Sequence, residues 1–401
     1  MEGNNRGNAV RLFAQPDFCR LWYVGLVIFV VRWLETLAVA VFVWRSTESA
    51  FLVAMMTMLR LLPMGLFGAV LGAVAERLDR RWAMIVVVGA SLVVSLTLAL
   101  LAWCGALAVW HLAVASFING LSWAADNPVR RLMMGEVAGP ERMGAAMSID
   151  VGSNNASRML GPTVGGLVLA SLGIEGTFLL GAALYATALP AAFLVRVRSP
   201  RVTAAASVLG RMAEGLRAVR QDRRLVGILT ITVIFNVFGW PFTSMVPVVA
   251  QQVLGLDTVA TGILASMDGV GAFFGAVAMA LWARPAWYKR LYVGGMASFL
   301  VVVMVFAVAP NAALAGAALF VIGFGQSGFS IMQPTLIYLA TPTELRSRVL
   351  GILTVAIGMG PLGFVHIGLL ADAFGVQAAT AATGAEGLLL LALTRRWWRA
   401  I

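Results

Sequence analysis

Cysteine, histidine and charge are all scarce in this 401-residue chain, which holds two Cys, two His and 12% charged residues. Each scarcity excludes something. Two cysteines, Cys19 and Cys104, cannot staple a small scaffold. The topology reached below also puts them at opposite ends of their helices, with roughly 30 Å of hydrocarbon between them, beyond disulfide reach. Two histidines, His111 and His366, without clustered Cys offer no metal site and no nucleophilic triad. No metal, cofactor or enzymatic activity is therefore expected. A soluble domain carries about 25% charged residues. Half that share, beside 60% hydrophobic residues and a mean hydropathy of +0.90, marks an integral membrane protein.

Acidic residues are also in deficit, 18 against 29 Lys and Arg, for a net charge of +11 and a pI near 11.0. In a soluble protein that balance would raise nucleic acid as a partner. Here all the cations except Arg32, Arg45, Arg60 and Arg158 fall in the termini and in alternate loops. Positive loops stay cytoplasmic, so both termini and the long central loop are expected in the cytoplasm of a cell whose inner membrane this chain crosses. Membrane lipids, not nucleic acid, are the expected surroundings.

Long apolar runs are what the chain has in abundance. They lie at about 18–44, 49–75, 83–104, 107–134, 143–172 and 174–195, then at about 223–253, 258–283, 287–309, 312–341, 345–371 and 376–397. Each reaches the roughly 20 residues that cross a bilayer as helix. The first is too long for a signal core and carries Arg32 and Glu35 in its middle, so it is expected to remain as the first helix. Asn127-Pro128 recurs as Gln333-Pro334, Glu141 as Glu344, and Gly161-Pro162 as Gly360-Pro361, at separations near half the chain length. The pattern predicts an all-α membrane protein with twelve transmembrane helices in two pseudo-symmetric six-helix bundles, residues 1–195 and 223–401. Between them, 196–222 is Arg-rich. Leu209, Met212, Leu216 and Val219 recur there at helical spacing, as in an amphipathic helix on an anionic surface; a tether joining the bundles is the preferred reading over a regulatory site, since a connector is required anyway.

Glycine is plentiful, and its spacing is the next signal. Gly323-x-Gly325-x-x-Gly328 and Gly358-x-Gly360-x-x-Gly363 match the dinucleotide spacing, but inside spanning segments they read as packing positions rather than phosphate loops. Gly161 and Gly165, one turn apart on the fifth helix, are expected to pack on Gly271 and Gly275 of the eighth. Charges inside the membrane are the sharpest functional signal, since each costs at least about 2.5 kcal/mol at a helix centre. They are Arg32, Glu35, Arg60, Asp150, Arg158 and Asp268. The plain account is mutual neutralisation, with Arg32 and Glu35 adjacent at i and i+3. The functional account is a water-filled cavity whose carboxylates Glu35, Asp150 and Asp268 carry protons. Asp150, Asn154 and Arg158 would form one stripe of its wall, and Asn236, Trp240, Gln326 and Gln333 the opposite wall.

The stretch Gly72-Ala-Val-Ala-Glu76-Arg77-Leu-Asp79-Arg80-Arg81 resembles the signature loop between helices two and three of the major facilitator superfamily, with Glu76 where Asp is usual and Asp79 where Gly is usual. Gly161-Pro162-Thr163-Val164-Gly165-Gly166 resembles that superfamily's antiporter motif. Asn127-Pro128-Val129-Arg130 and the run from Pro342 through Pro361 resemble its enterobactin-exporter-like and macrolide-efflux-like branch. The resemblance implies the major facilitator fold and alternating access. It also implies a latch in which Glu76 faces the start of helix eleven near Thr343 while Arg77 or Arg80 pairs with Glu136. The function expected first is proton-coupled export of a small organic molecule, drug-like or siderophore-like, by a monomer. A facilitator or importer of the same fold is the second reading, and a ligand-binding membrane sensor the third.

Overall fold

The computed structural model describes residues 12–77, 79–139, 141–196, 208–342 and 345–401; the side chains of 68–77, 127–128, 208–209, 211–212 and 347 lie outside that description. Long helices follow one another with short turns. In the first half they are α1 (Pro16–Thr47), α2 (Ala50–Arg77), α3 (Arg80–Trp103), α4 (Val109–Ala138) and a 52-residue helix, Met143–Leu194. That last helix is broken at Gly173, whose φ of 71° only glycine adopts without strain, so it is two passes, α5 (143–172) and α6 (174–194). In the second half come α7 (Arg223–Val253), α8 (Thr258–Trp282), α9 (Tyr288–Ala307), α10 (Ala312–Ala340), α11 (Arg346–Ile357 continued by Gly360–Phe374) and α12 (Val376–Leu393). No strand occurs among the described residues.

Helix ends follow the local chemistry. Asp79, where the resembling loop has Gly, caps α3 by accepting from the backbone N–H of Arg81 at 3.0 Å. Asp222 caps α7 in the same way through the Arg224 N–H at 2.8 Å, and hydrogen bonds from the Arg224 side chain hold its carboxyl below the usual carboxylate range. The connector helix Val208–Gln221 leans on α11: Gly215 lies against the Arg348 carbonyl and Glu214 pairs with Arg348 at 2.9 Å. Its Leu216 is exposed and its Val219 buried.

Small residues set how the halves meet. A methyl group added at Gly165 would sit 3.1 Å from the Leu34 carbonyl oxygen, and one at Gly161 would run into Trp33, so both glycines seat α5 on α1. Gly166 and Pro162 are the pair that face α8, against Thr258 and Gly262, and Gly269 lies against Met159. The expected partners Gly271 and Gly275 instead turn toward Phe320 and Phe324 of α10. That expectation fails because α8 has glycine on two faces, and spacing by four marks a close approach without naming the neighbour. The glycines of both dinucleotide-like runs are packing positions: Gly325 meets Ser298, Gly328 meets Leu291, and Gly358 meets Gly65 across the halves. Gly165→Leu is expected to push α1 off α5, with loss of folded protein or of transport in reconstituted vesicles. A variant as stable and active as the parent would mean that α1 yields easily.

The two halves are joined at the end that carries Arg45. Arg45 donates to the Thr258 hydroxyl at 2.7 Å, and Asp372 of α11 accepts from the Phe51 N–H at 3.1 Å, capping α2 across the divide. Between α5 and α8 the contacts run inward from there to Arg158 and Gly269. Further toward the Arg80 end, Val151 and Gly152 on α5 and Phe273 and Phe274 on α8 are exposed.

Candidate functional site

A cavity of about 120 Å³ lies between the halves. Arg32 and Trp33 reach it from α1, Arg60 from α2, Trp240 from α7 and Asp268 from α8. The stretch of α7 that supplies Trp240 is irregular, passing from α to π geometry at Phe235–Gly239 and to 3-10 at Trp240–Ser244. Pro241 and Pro247 have no N–H to give to a regular ladder, which favours the departure from α geometry here. The irregular backbone borders the cavity, where a membrane protein tolerates it.

Arg32 and Glu35 do not pair, contrary to the i, i+3 expectation. Arg32 turns to the cavity, with its guanidinium 3.5 Å from the centre of the Trp123 ring and no carboxylate of the described residues within ion-pair distance. Glu35 is 2% exposed and turns into the first half, where its Oε1 accepts from the Ser95 hydroxyl of α3 at 2.7 Å and lies against Gly181 of α6. A helix places neighbours one turn apart side by side, but Arg32 and Glu35 have stronger separate partners in different layers. Behind the cavity a pocket of about 20 Å³ brings Glu35 together with Arg60 and Asn119. Arg60 donates through Nη1 to the Thr36 hydroxyl and, at 3.3 Å, to the Arg32 carbonyl.

Arg158 and Asp268 form an ion pair of 2.5 Å from α5 to α8, and Arg158 also donates to Gln326 Oε1 of α10 at 2.6 Å. Asp268, which has no evident local partner in the sequence, thus finds one in the other half. The Trp240 ring centre lies 5.4 Å from the same guanidinium. Asp268 Oδ1 is buried with no partner, as is the Trp33 indole Nε1.

Asp150 is not part of this cavity. It lies between Arg130, to which it is hydrogen-bonded, and Arg131, whose Nε donates to it at 3.0 Å. Arg130 is fully buried, also donates to Asp126 Oδ2 at 3.0 Å, and rests against Gly25 of α1. The α4–α5 turn is short and brings these charges face to face, so Asp150 and Arg158 share a helix but no partner. Asn154, between them, is half-buried with its Oδ1 unpartnered and does not line the cavity. Asn236 and Gln333 are also misplaced by the sequence reading. Both bond to Thr232 inside the second half, Asn236 to its carbonyl at 2.9 Å and Gln333 to its hydroxyl at 2.7 Å, beside Tyr292. Polar residues on apolar helices satisfy one another where they can, and these two find a partner in the bundle core.

At the Arg80 end, Arg80 is bonded to Glu136 of α4. The side chains of Gly72, Glu76 and Arg77, and Thr343 altogether, fall outside the described residues. Sequence reasoning overlooked Trp33, Trp123 and Ser95, and with them the ionic role of Asp126 and Arg130, the second of which it names only within a motif. For the last two a signal existed, an acid and a base four apart in an apolar run.

The family model of the Major Facilitator Superfamily matches residues 21–365. The chain belongs to that superfamily. It is an all-α membrane protein of the major facilitator fold; among the described residues ten helices are long and apolar enough to span, with Met143–Leu194, two passes joined at Gly173, counting once and the 30-residue α4 standing beside them. The chain is 21% identical to the staphyloferrin A transporter of Staphylococcus aureus (strain NCTC 8325 / PS 47), over 88% of this chain and 89% of that one. It is 20% identical to macrolide efflux protein A of Streptococcus pyogenes, over 90% of each. A D-xylose-proton symporter structure superposes with a TM-score of 0.74 at 14% identity, covering 96% of this chain and 99% of that chain, which establishes the shared fold. These superfamily relatives are transporters, as the sequence motifs imply.

Proposed function

We propose that the protein is a secondary active transporter of the cytoplasmic membrane, with both termini in the cytoplasm, that exports a small organic molecule in exchange for protons. One observation carries this reading: a cavity enclosed between two halves that are sealed together at the Arg45 end and bridged at its floor by Arg158 and Asp268. Alternating access follows if those bridges open while the Arg80 end closes, with Glu76, Arg77, Arg80 and Glu136 as the latch there. The efflux activity named for the Streptococcus relative supports the outward direction. Glu35 is the proton carrier in this scheme, because it is buried beside Arg60 and next to the cavity.

One feature of the cavity favours the reverse direction, uptake with a proton. Arg32 and Arg60 present more positive charge than Asp268 offsets, since Asp268 is already held by Arg158. A substrate bringing negative charge beside Glu35 would travel with a proton, which is symport. Proteoliposomes with and without an imposed pH gradient separate these readings. Export predicts accumulation on the side of higher proton concentration, uptake predicts the opposite side, and a sensor moves nothing.

A further inference from the structure

The cavity is rich in donors that no described residue satisfies. Arg32 lies over the Trp123 face, and stacking of that kind uses the flat side of a guanidinium and leaves its N–H edge free. Among the described residues no acceptor meets that edge. Arg60 commits one nitrogen, Nη1, to Thr36 and the Arg32 carbonyl; its other N–H groups have no acceptor among the described residues. The Trp33 indole N–H is buried without a partner on the same wall. Buried donors such as the Trp33 N–H are almost always paired, and beside two half-buried guanidinium groups left open to one space it favours an acceptor from outside.

Charge points the same way. Arg60 and Arg158 both repel Arg32. Of the carboxylates around the cavity, Asp268 is taken by Arg158 and Glu35 faces Ser95 and Gly181 in the layer behind, outside ion-pair distance of either Arg32 or Arg60. Tyr185 borders the two arginines from behind as a phenol and adds no counter-charge. Two half-buried cations around one enclosed space favour a counter-ion, and a planar carboxylate is the ligand that two guanidinium edges match. Trp33 and Trp240 supply flat apolar walls for the remainder of the molecule. The volume of about 120 Å³ is on the scale of a single ring, since an engineered apolar cavity of about 150 Å³ takes benzene.

We propose that Arg32 and Arg60 form an anion site for an organic carboxylate whose ring or flat apolar body lies against Trp33 and Trp240. The inference rests on the reading of this cavity as the substrate site and is independent of the direction of transport.

Benzoate, benzyl alcohol and benzylammonium share one ring and differ in charge, which makes them the probes. Titration calorimetry on the purified protein is expected to give benzoate at least a tenfold tighter Kd than benzyl alcohol, with benzylammonium weaker still. Arg32→Gln and Arg60→Gln are each expected to weaken benzoate at least tenfold. Arg60→Lys, which keeps the charge, is expected to recover part of that loss, and Asp268→Asn to retain benzoate binding. Unfolding temperatures of the same samples identify any variant that misfolds; for such a variant the three-probe ranking on the parent decides. Benzyl alcohol or benzylammonium binding as tightly as benzoate, no binding of any probe, or folded Gln variants that hold benzoate like the parent would each overturn the anion site. Radiolabelled probes in vesicles keep the two readings apart. A probe that binds at Arg32 and Arg60 but is never carried counts against transport alone, whereas benzylammonium carried in preference to benzoate counts against the anion site alone.

Discussion

Glu35→Gln is expected to abolish accumulation against a gradient while leaving substrate binding and downhill exchange in place. The substitution removes one property and little else. Glutamine has the length of glutamate, its Oε1 can still accept from the Ser95 hydroxyl, and the close fit against Gly181 is kept. What is lost is the capacity to hold and release a proton next to Arg60. A coupled transporter needs that capacity to tie substrate movement to the proton gradient, because a ligand shifts a two-state equilibrium only through a difference in interaction between the states. In vesicles with an imposed pH gradient, the parent should concentrate substrate at least tenfold and Glu35→Gln should stop at equal concentrations. Binding to the variant should also lose its dependence on pH. Accumulation equal to the parent's would transfer the carrier role to Asp268, whose Oδ1 is unpartnered at the cavity, since Asp150 is held by two arginines of α4.

The spanning helices were legible because the bilayer demands long apolar runs, and turns between them need charge, Gly or Pro. Gly173 is such a turn, although the helix to either side runs on without a loop. Partner choice inside the membrane was less legible. Arg158 and Asp268 are 110 residues apart, and nothing local in either segment announces the other. The fault with Arg32 and Glu35 was different: spacing put them together, but one stacks on Trp123 and the other turns to Ser95, residues on helices that only the fold brings near. Asn236 and Gln333 were assigned to the cavity by residue type alone, and type cannot say which face of α7 or α10 a side chain takes. Asp126 and Arg130 go uncounted in the first half, and with them the hold of Arg130 and Arg131 on Asp150; taking that carboxylate out of a neutral set of three cations and three anions leaves the cavity with excess positive charge.

Those two overlooked residues carry the largest expected effect on folding. Arg130 has no exposed surface and bridges Asp126, four residues before it on α4, to Asp150 at the start of α5. Arg130→Met keeps the apolar stem and removes the charge, leaving two buried carboxylates with only Arg131, itself partly exposed, to face them. Breaking a buried ionic set by taking out one member costs about 3–5 kcal/mol, because the survivors stay desolvated and unpaired. The unfolding temperature in detergent should therefore fall well below the parent's. Gly25→Leu should act at the same place from the other side, since even one methyl group there would collide with the Arg130 guanidinium, whose Cζ lies 2.6 Å from it. The test has an internal control. If the loss comes from stranded charge rather than from a cavity, adding Asp126→Leu and Asp150→Asn to Arg130→Met should recover most of it, as apolar replacements for buried ion sets commonly do. An Arg130→Met protein that melts with the parent would show that water reaches the three charges. The α4–α5 corner would then be a hydrated surface rather than the packed joint seen between Gly25, Asp126 and Asp150.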